Sequence, residues 1–274
     1  MKLLKGLFSL ILIGCLIGVG AFFYAFFLEP NQVKKETVEI SDPEVNGTFR
    51  LALFADTHFS KNYTPEDFSK AVKLINESNP DIIVFLGDLF DEFSTYEGDD
   101  QKISAALAEL KAKKGKFAVF GNHDYGGGAE NEYVGVMDAG GFRVLVNQSV
   151  QFKESNVTLT GVDDYLIGYG NASVVNENPL GAYNIVACHE PDVIDKIMNS
   201  PVDLMISGHT HGGQVKLPFV EPRYLPDLGK KYIQGKFEIN NLAKTTLYVN
   251  RGLGTTKAPA RLFSVPEVTI IDLK

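Results

Sequence analysis

The first stretch of the chain has no polar face. From Leu7 to Leu28 no charged residue occurs. At 1.5 Å per residue that run is about 33 Å long as a helix, against a bilayer core of about 30 Å. Beyond residue 48 the pattern changes to short apolar runs alternating with helical spacing. Residues 50–55, 81–86, 116–120, 142–146, 150–153, 157–160, 183–188, 202–207, 246–249 and 268–272 read as strands. Pro65–Glu77 reads as a helix with Thr64 as N-cap, Pro65 at its first position and Asp67 in its first turn. Asp100–Lys113 reads as a second, with Ile103, Ala106, Leu107 and Leu110 on one face. Glu130–Ala139 and Pro191–Met198 read as two more. Strand–helix alternation followed by a strand-rich half predicts an α/β fold: two mixed sheets in a sandwich, flanked by helices.

The N-terminal run is preceded by Lys2 and Lys5 and followed by the rest of the chain. That arrangement predicts a signal anchor over residues 1–28, a single pass through the cell membrane with the domain that follows outside the cytoplasm. Residues 29–48 read as a linker or a loose first strand, and 49–274 as one domain. A cleaved signal peptide has a shorter apolar core. A lipobox reading of Leu12-Ile13-Gly14-Cys15 would acylate Cys15, but the chain stays apolar through Leu28. Cys15 and Cys188 are the only cysteines, so a disulfide framework is excluded. With a formal net charge of −8 the chain lacks the basic face a nucleic-acid partner requires. Oligomeric state leaves no trace in the pattern.

The candidate chemistry lies where apolar runs end. Five of them finish in Asp56-Thr57-His58, Gly87-Asp88-Leu89-Phe90-Asp91, Gly121-Asn122-His123-Asp124, His189-Glu190 and Gly208-His209-Thr210-His211, and these hold all five histidines of the chain. Ligand sites in α/β proteins form outside the carboxyl ends of strands. Asp56 and His58, and likewise His209 and His211, are two apart, so an extended chain would turn both members to one side. Cys188 should point the opposite way from His189. Each fragment alone is commonplace; five together, all at strand ends, point to a metal cluster. The donors are carboxylate and amide oxygens and imidazole nitrogens without thiolate, which suits Mn, Fe or Zn.

The order of these motifs resembles the calcineurin-like metallophosphoesterase superfamily. The tail Asn250-Arg251-Gly252-Leu253-Gly254, with Arg261-Leu262-Phe263 and Pro266-Glu267-Val268, is similar to its bacterial membrane-associated branch of YkuE/YaeI-like phosphoesterases. The resemblance implies two divalent metal ions bridged by Asp88, one site completed by Asp56, His58 and His211, the other by Asn122, His189 and His209. It further implies that His123 serves the leaving group, that Asp91 hydrogen-bonds His123, and that Asp124 braces the loop. A bridging hydroxide would attack a phosphodiester or pyrophosphate bond. Several members carry an arginine where this chain has Glu92, so a phosphate clamp would have to come from elsewhere, with Arg251 and Arg261 as candidates. A metallo-β-lactamase reading fails because Gly212 and Gly213 follow His211. A tethered domain favours phospholipid, lipid-linked or cell-envelope substrates. The loop from Leu217 to Leu228, with Phe219, Val220, Tyr224 and Leu225, is either an apolar lip for them or packing beneath a long loop. The alternatives are a phosphodiesterase or phosphomonoesterase without lipid preference, and a non-catalytic metal-binding scaffold.

Overall fold

A computed structural model describes residues 2–274 apart from 218, 221, 223 and 242; the side chains of Lys2 and Leu3 also lie outside the described residues. Two six-stranded mixed sheets face each other. The first has the order β1 (Lys34–Ile40), β12 (Glu267–Leu273), β2 (Phe49–Phe54), β3 (Ile82–Phe85), β4 (Gly115–Ala118), β5 (Phe142–Val144). The second has the order β10 (Gly235–Glu238), β11 (Thr246–Val249), β9 (Leu204–Ser207), β8 (Tyr183–Ala187), β7 (Val157–Gly161), β6 (Gln148–Phe152).

The central strands read as unbroken apolar runs because both faces are covered. Along β2, Leu51 and Leu53 join the core between the sheets while Ala52 and Phe54 pack under the helices. β3 divides the same way, Ile82 and Val84 inward, Ile83 and Phe85 outward. The outer layer on the first sheet is α2 (Pro65–Glu77), α3 (Asp100–Ala108) and α5 (Tyr133–Ala139). On the second sheet a 3-10 segment, Pro191–Lys196, takes the place of the expected helix.

α2 has the expected bounds, closed by a capping box in which the Asp67 amide donates to Thr64 and the Thr64 amide to Asp67. α3 stops at Ala108, five residues short of expectation. The backbone beyond it is used elsewhere: Lys111 N donates to Asn76 Oδ1, Lys113 N to Pro80 O and Lys114 N to Asp81 O. The short α4 (Asn122–Gly126) and β10 were not legible in the pattern.

Residues 34–40 are strand, not linker. β1 pairs in parallel with β12 over seven residues, from Lys34 opposite Glu267 to Ile40 opposite Leu273. β12 runs antiparallel to β2, so β1 does too. Lys34 therefore sits at the carboxyl end of β2–β5, and Ile40 at the far end.

The apolar N-terminal segment is α1 (Lys2–Phe23), continued by a π turn, Tyr24–Leu28, and a 3-10 turn, Glu29–Asn31. It is long and apolar enough to cross a membrane. Its last turns are fastened to the domain. Arg261 N donates to Ala25 O at 2.9 Å. The buried Glu29 carboxylate accepts from Phe263 N at 3.0 Å and Ser264 N at 2.6 Å.

Candidate metal centre

Loops leaving β2, β3, β4, β8 and β9 converge at one end of the sandwich. Asp56, His58, Asp88, His209 and His211 all have left-handed backbone, with φ of 49°, 44°, 61°, 73° and 51°. Such backbone costs an L residue about 1–2 kcal/mol and clusters at functional sites. The members of each pair therefore do not reach the cluster through an extended chain; sharp turns bring them there. Gly121 has ordinary backbone but allows close approach, since a Cβ on it would lie 2.3 Å from Asp88 Oδ1.

Asp88 stands at the centre. Its Oδ1 accepts from the His123 amide at 2.8 Å. Its Oδ2 lies 3.5 Å from His58 Nε2 and 3.2 Å from His189 Nε2. On one side Asp56, His58 and His211 bring donor atoms within 4.8 Å of one another, and on the other Asp88, His189 and His209 do the same. The nitrogens His58 Nε2 and His211 Nε2 face each other at 3.0 Å, with Asp56 Oδ1 3.5 Å from the latter. Two ligands at right angles, each about 2.1 Å from one ion, are about 3.0 Å apart. On the second side two buried donors, Asn122 Oδ1 and His189 Nε2, lack a hydrogen-bond partner. Buried polar atoms are rarely left so. These residues fit a pair of divalent cations.

Backbone carbonyls set the ring tautomers. His189 Nδ1 donates to Leu86 O at 2.6 Å and His209 Nε2 to Asp227 O at 2.8 Å, which frees His189 Nε2 and His209 Nδ1. His123 Nδ1 likewise donates to the Asp91 carbonyl at 2.6 Å. The Asp91 carboxylate, expected to hold His123, is 3.9 Å from that ring and 3.4 Å from His58 Nδ1. Position 91 thus serves both rings, with its main chain for one and its side chain for the other.

Asp124 braces the loops as expected, accepting from the amides of Asp88, Leu89 and Gly121. Cys188 turns away into the core of the second sheet. Neither arginine offered as a phosphate clamp is free. Arg251 pairs with Glu36 at 2.8 Å and with Glu267. Arg261 is fully buried, donating to the carbonyls of Gly254, Arg251 and Ser264, with one Nη 3.4 Å from His211 Nδ1. It supports the ring of His211 from behind. Ser264 and Glu29 complete that support, for Ser264 Oγ donates to His211 O at 2.5 Å. Sequence reading missed both; the one cue was a carboxylate directly after the apolar run.

The charges in the cluster are shifted against one another. Burial pushes the Asp56 carboxyl up to about 6, with Asp88 adding to the effect. Burial acts the same way on Asp88, but the imidazoles of His189, His123 and His58 prevail and hold it well below the carboxylate range. Burial and the neighbouring His189 lower His209 to about 4, and burial, His58 and Arg261 depress His211. Both are neutral at neutral pH, the form that binds metal. Burial would lower His123 as well, yet Asp88 and the Asp91 carbonyl raise it. Its ring is partly exposed, as is the Asp91 side chain, and these two mark the open side of the cluster.

Two donor sets sharing one carboxylate at the strand ends of a sandwich define a metal-dependent phosphoester hydrolase. Residues 49–213 match the calcineurin-like phosphoesterase family, and the chain belongs to it, a family that works with a dinuclear divalent metal centre. It is 38% identical over 283 residues to the metallophosphoesterase YkuE of Bacillus subtilis (strain 168), covering 100% of this chain and 96% of that one. It is 33% identical to phosphodiesterase YaeI of Escherichia coli (strain K12), covering 82% of each. At 26% identity it also resembles the UDP-2,3-diacylglucosamine pyrophosphatase LpxG of Chlamydia muridarum (strain MoPn / Nigg), over 90% of this chain and 91% of that one.

Proposed function

We propose that this chain is a membrane-anchored phosphodiesterase acting on a lipid-linked or cell-envelope phosphodiester or pyrophosphate. The observation that carries it is Asp88. With Oδ1 held by the His123 amide, Oδ2 is the oxygen turned to both donor sets. Asp56, His58 and His211 would hold one ion with Asp88, and Asn122, His189 and His209 would hold the other. When bound, a pair of divalent ions supplies Lewis acidity toward phosphoryl oxygens and lowers the pKa of water.

The rest falls to the chain's own residues. His123 stands on the open side with Nδ1–H committed to Asp91 O, and in the imidazolium form that Asp88 and that carbonyl favour, Nε2–H is left to protonate or hydrogen-bond the departing oxygen. Asp91 orients His58 through its carboxylate. The diester reading is supported by the engagement of Arg251 and Arg261 elsewhere. A monoester dianion asks for a cationic clamp that neither of them offers, whereas a diester carries one charge less. The phosphodiesterase name of one relative agrees with this, and the diacylated substrate in the name of another agrees with a lipid. Anchoring rests on the apolar helix, and the catalytic domain lies on its extracytoplasmic side.

Metal content and Mn-stimulated hydrolysis of bis-p-nitrophenyl phosphate by the full chain test this, with Asp88→Ala and His123→Ala beside it. About two ions per chain are expected in the wild type and in His123→Ala, with turnover of the latter down by roughly 10²–10⁴-fold. Asp88→Ala should lose metal and activity together. A wild type that binds metal and cleaves neither this diester nor a monoester sinks the enzymatic assignment in favour of a scaffold.

A further inference from the structure

The anchor and the metal cluster lie at the same end of the molecule. Lys34 starts β1 at the carboxyl end of β2–β5, and Glu29 joins the end of the apolar helix to Ser264, which in turn holds the main chain of His211. Beside that junction lies exposed apolar surface. Gln214–Leu217 runs along residues 262–263, with Leu262 N donating to Gln214 O and Lys216 N to Leu262 O. Leu217 and Val220 form an antiparallel bridge. Val215, Leu217, Phe219, Val220 and Phe263 are all exposed, Phe219 completely. Packing beneath a long loop is thus not what these side chains do. Phe263 is itself tied to Glu29 through its amide, which sets it beside the last turns of the helix. Large contiguous apolar patches on a protein surface mark a partner. Where the patch adjoins an apolar span, the surface that reaches both is the bilayer that the span crosses.

We propose that Leu217, Phe219, Val220 and Phe263 insert into the lipid interface next to the helix. The catalytic domain is then docked on the membrane with its metal-cluster end toward the head groups, not swinging on a tether. This rests on the membrane-anchor reading above and names the surface that presents substrate to the site.

The chain contains no tryptophan, so one substitution creates a single reporter. The full chain, reconstituted in phosphatidylethanolamine–phosphatidylglycerol vesicles, would carry Phe219→Trp, Phe263→Trp, Phe8→Trp within the helix, or Leu180→Trp. Leu180 is exposed and precedes β8 at the opposite end of the sandwich. Phe219→Trp and Phe263→Trp should emit to the blue of Leu180→Trp and be quenched by lipids brominated on the acyl chain, as Phe8→Trp is. Leu180→Trp should respond to aqueous iodide alone. Adding Phe219→Asp and Val220→Asp to Phe263→Trp should return that indole to iodide. If Phe8→Trp meets the brominated chains while Phe219→Trp and Phe263→Trp stay accessible to iodide, the anchor stands and the docking is overturned. If Phe8→Trp itself is untouched by brominated lipid, the anchor reading fails and the docking with it.

Discussion

Gly121→Ala separates close approach from every other role of a glycine. Gly121 has φ −114° and ψ 174°, backbone that any L residue adopts, so alanine adds no main-chain strain. What it adds is a methyl 2.3 Å from Asp88 Oδ1, 2.6 Å from Asp88 N and 2.8 Å from His189 Cε1. Reaching van der Waals distance requires Oδ1 to retreat by roughly 1 Å. Metal–ligand distances tolerate about 0.2 Å, and a misplacement of about 1 Å costs on the order of 100-fold in rate. Overpacking of a buried site also costs about 1–3 kcal/mol, a fall in Tm of roughly 2–12 °C in a domain of this size. Gly135→Ala is the control: it lies within α5 with nothing within 4 Å of its added Cβ and should gain about 0.5–1 kcal/mol. The assay is metal content, turnover of bis-p-nitrophenyl phosphate and Tm with and without Mn. Metal content unchanged from wild type with turnover within threefold of it would overturn this, because the Asp88 carboxylate would then not depend on that gap.

Three further outcomes follow from the packing around the cluster. Arg261→Lys should cost about 2–4 kcal/mol by thermal denaturation, since an ammonium cannot meet the Gly254, Arg251 and Ser264 carbonyls that the guanidinium fork meets together. Glu29→Ala should lower Tm by leaving the buried Ser264 amide without an acceptor, about 1–3 kcal/mol, with a smaller loss from the part-buried Phe263 amide; Glu29→Gln, which keeps one acceptor oxygen, should lose less. Asp203 is partly buried and its carboxyl is pushed up to about 6, by burial first and by Glu44 and Asp42 after it. A raised pKa stabilises the fold below the unfolded value near 4 and loses that contribution as pH rises to about 6. Denaturant titrations should show the wild type declining against Asp203→Asn across that window by about 1 kcal/mol, after allowance for the solvent reaching the group, and a constant difference above it.

The catalytic end of the protein was unusually open to sequence reading. Apolar runs mark central strands because two covered faces tolerate few polar residues, and ligands must sit where those runs stop. The structure brings the run-end residues Asp56, His58, Asp88, Asn122, His123, His189, His209 and His211 to one end of the sandwich, and α2 starts where its cap placed it. Legibility ended at tertiary partners. β1 is a polar edge strand whose pairing with β12 joins residues more than 200 positions apart, and nothing local in Lys34–Ile40 announces it. Arg251 and Arg261 looked available for phosphate because a sequence does not display the Glu36, Glu267 and carbonyl oxygens that occupy them. Asp91 could be placed near His123, but only the fold put its carbonyl on that ring and its carboxylate on His58.

The order of the motifs at strand ends and the apolar span are properties of side chains and their local spacing, and both were legible in the chain before any fold was known. Which oxygen of Asp88 faces both donor sets, which ring nitrogens are free, and that Glu29 links the end of the apolar helix to the loop holding His211 were decided by tertiary structure alone. Each depends on hydrogen bonds closed between segments distant in the chain, and such bonds have geometry only after the two sheets have packed.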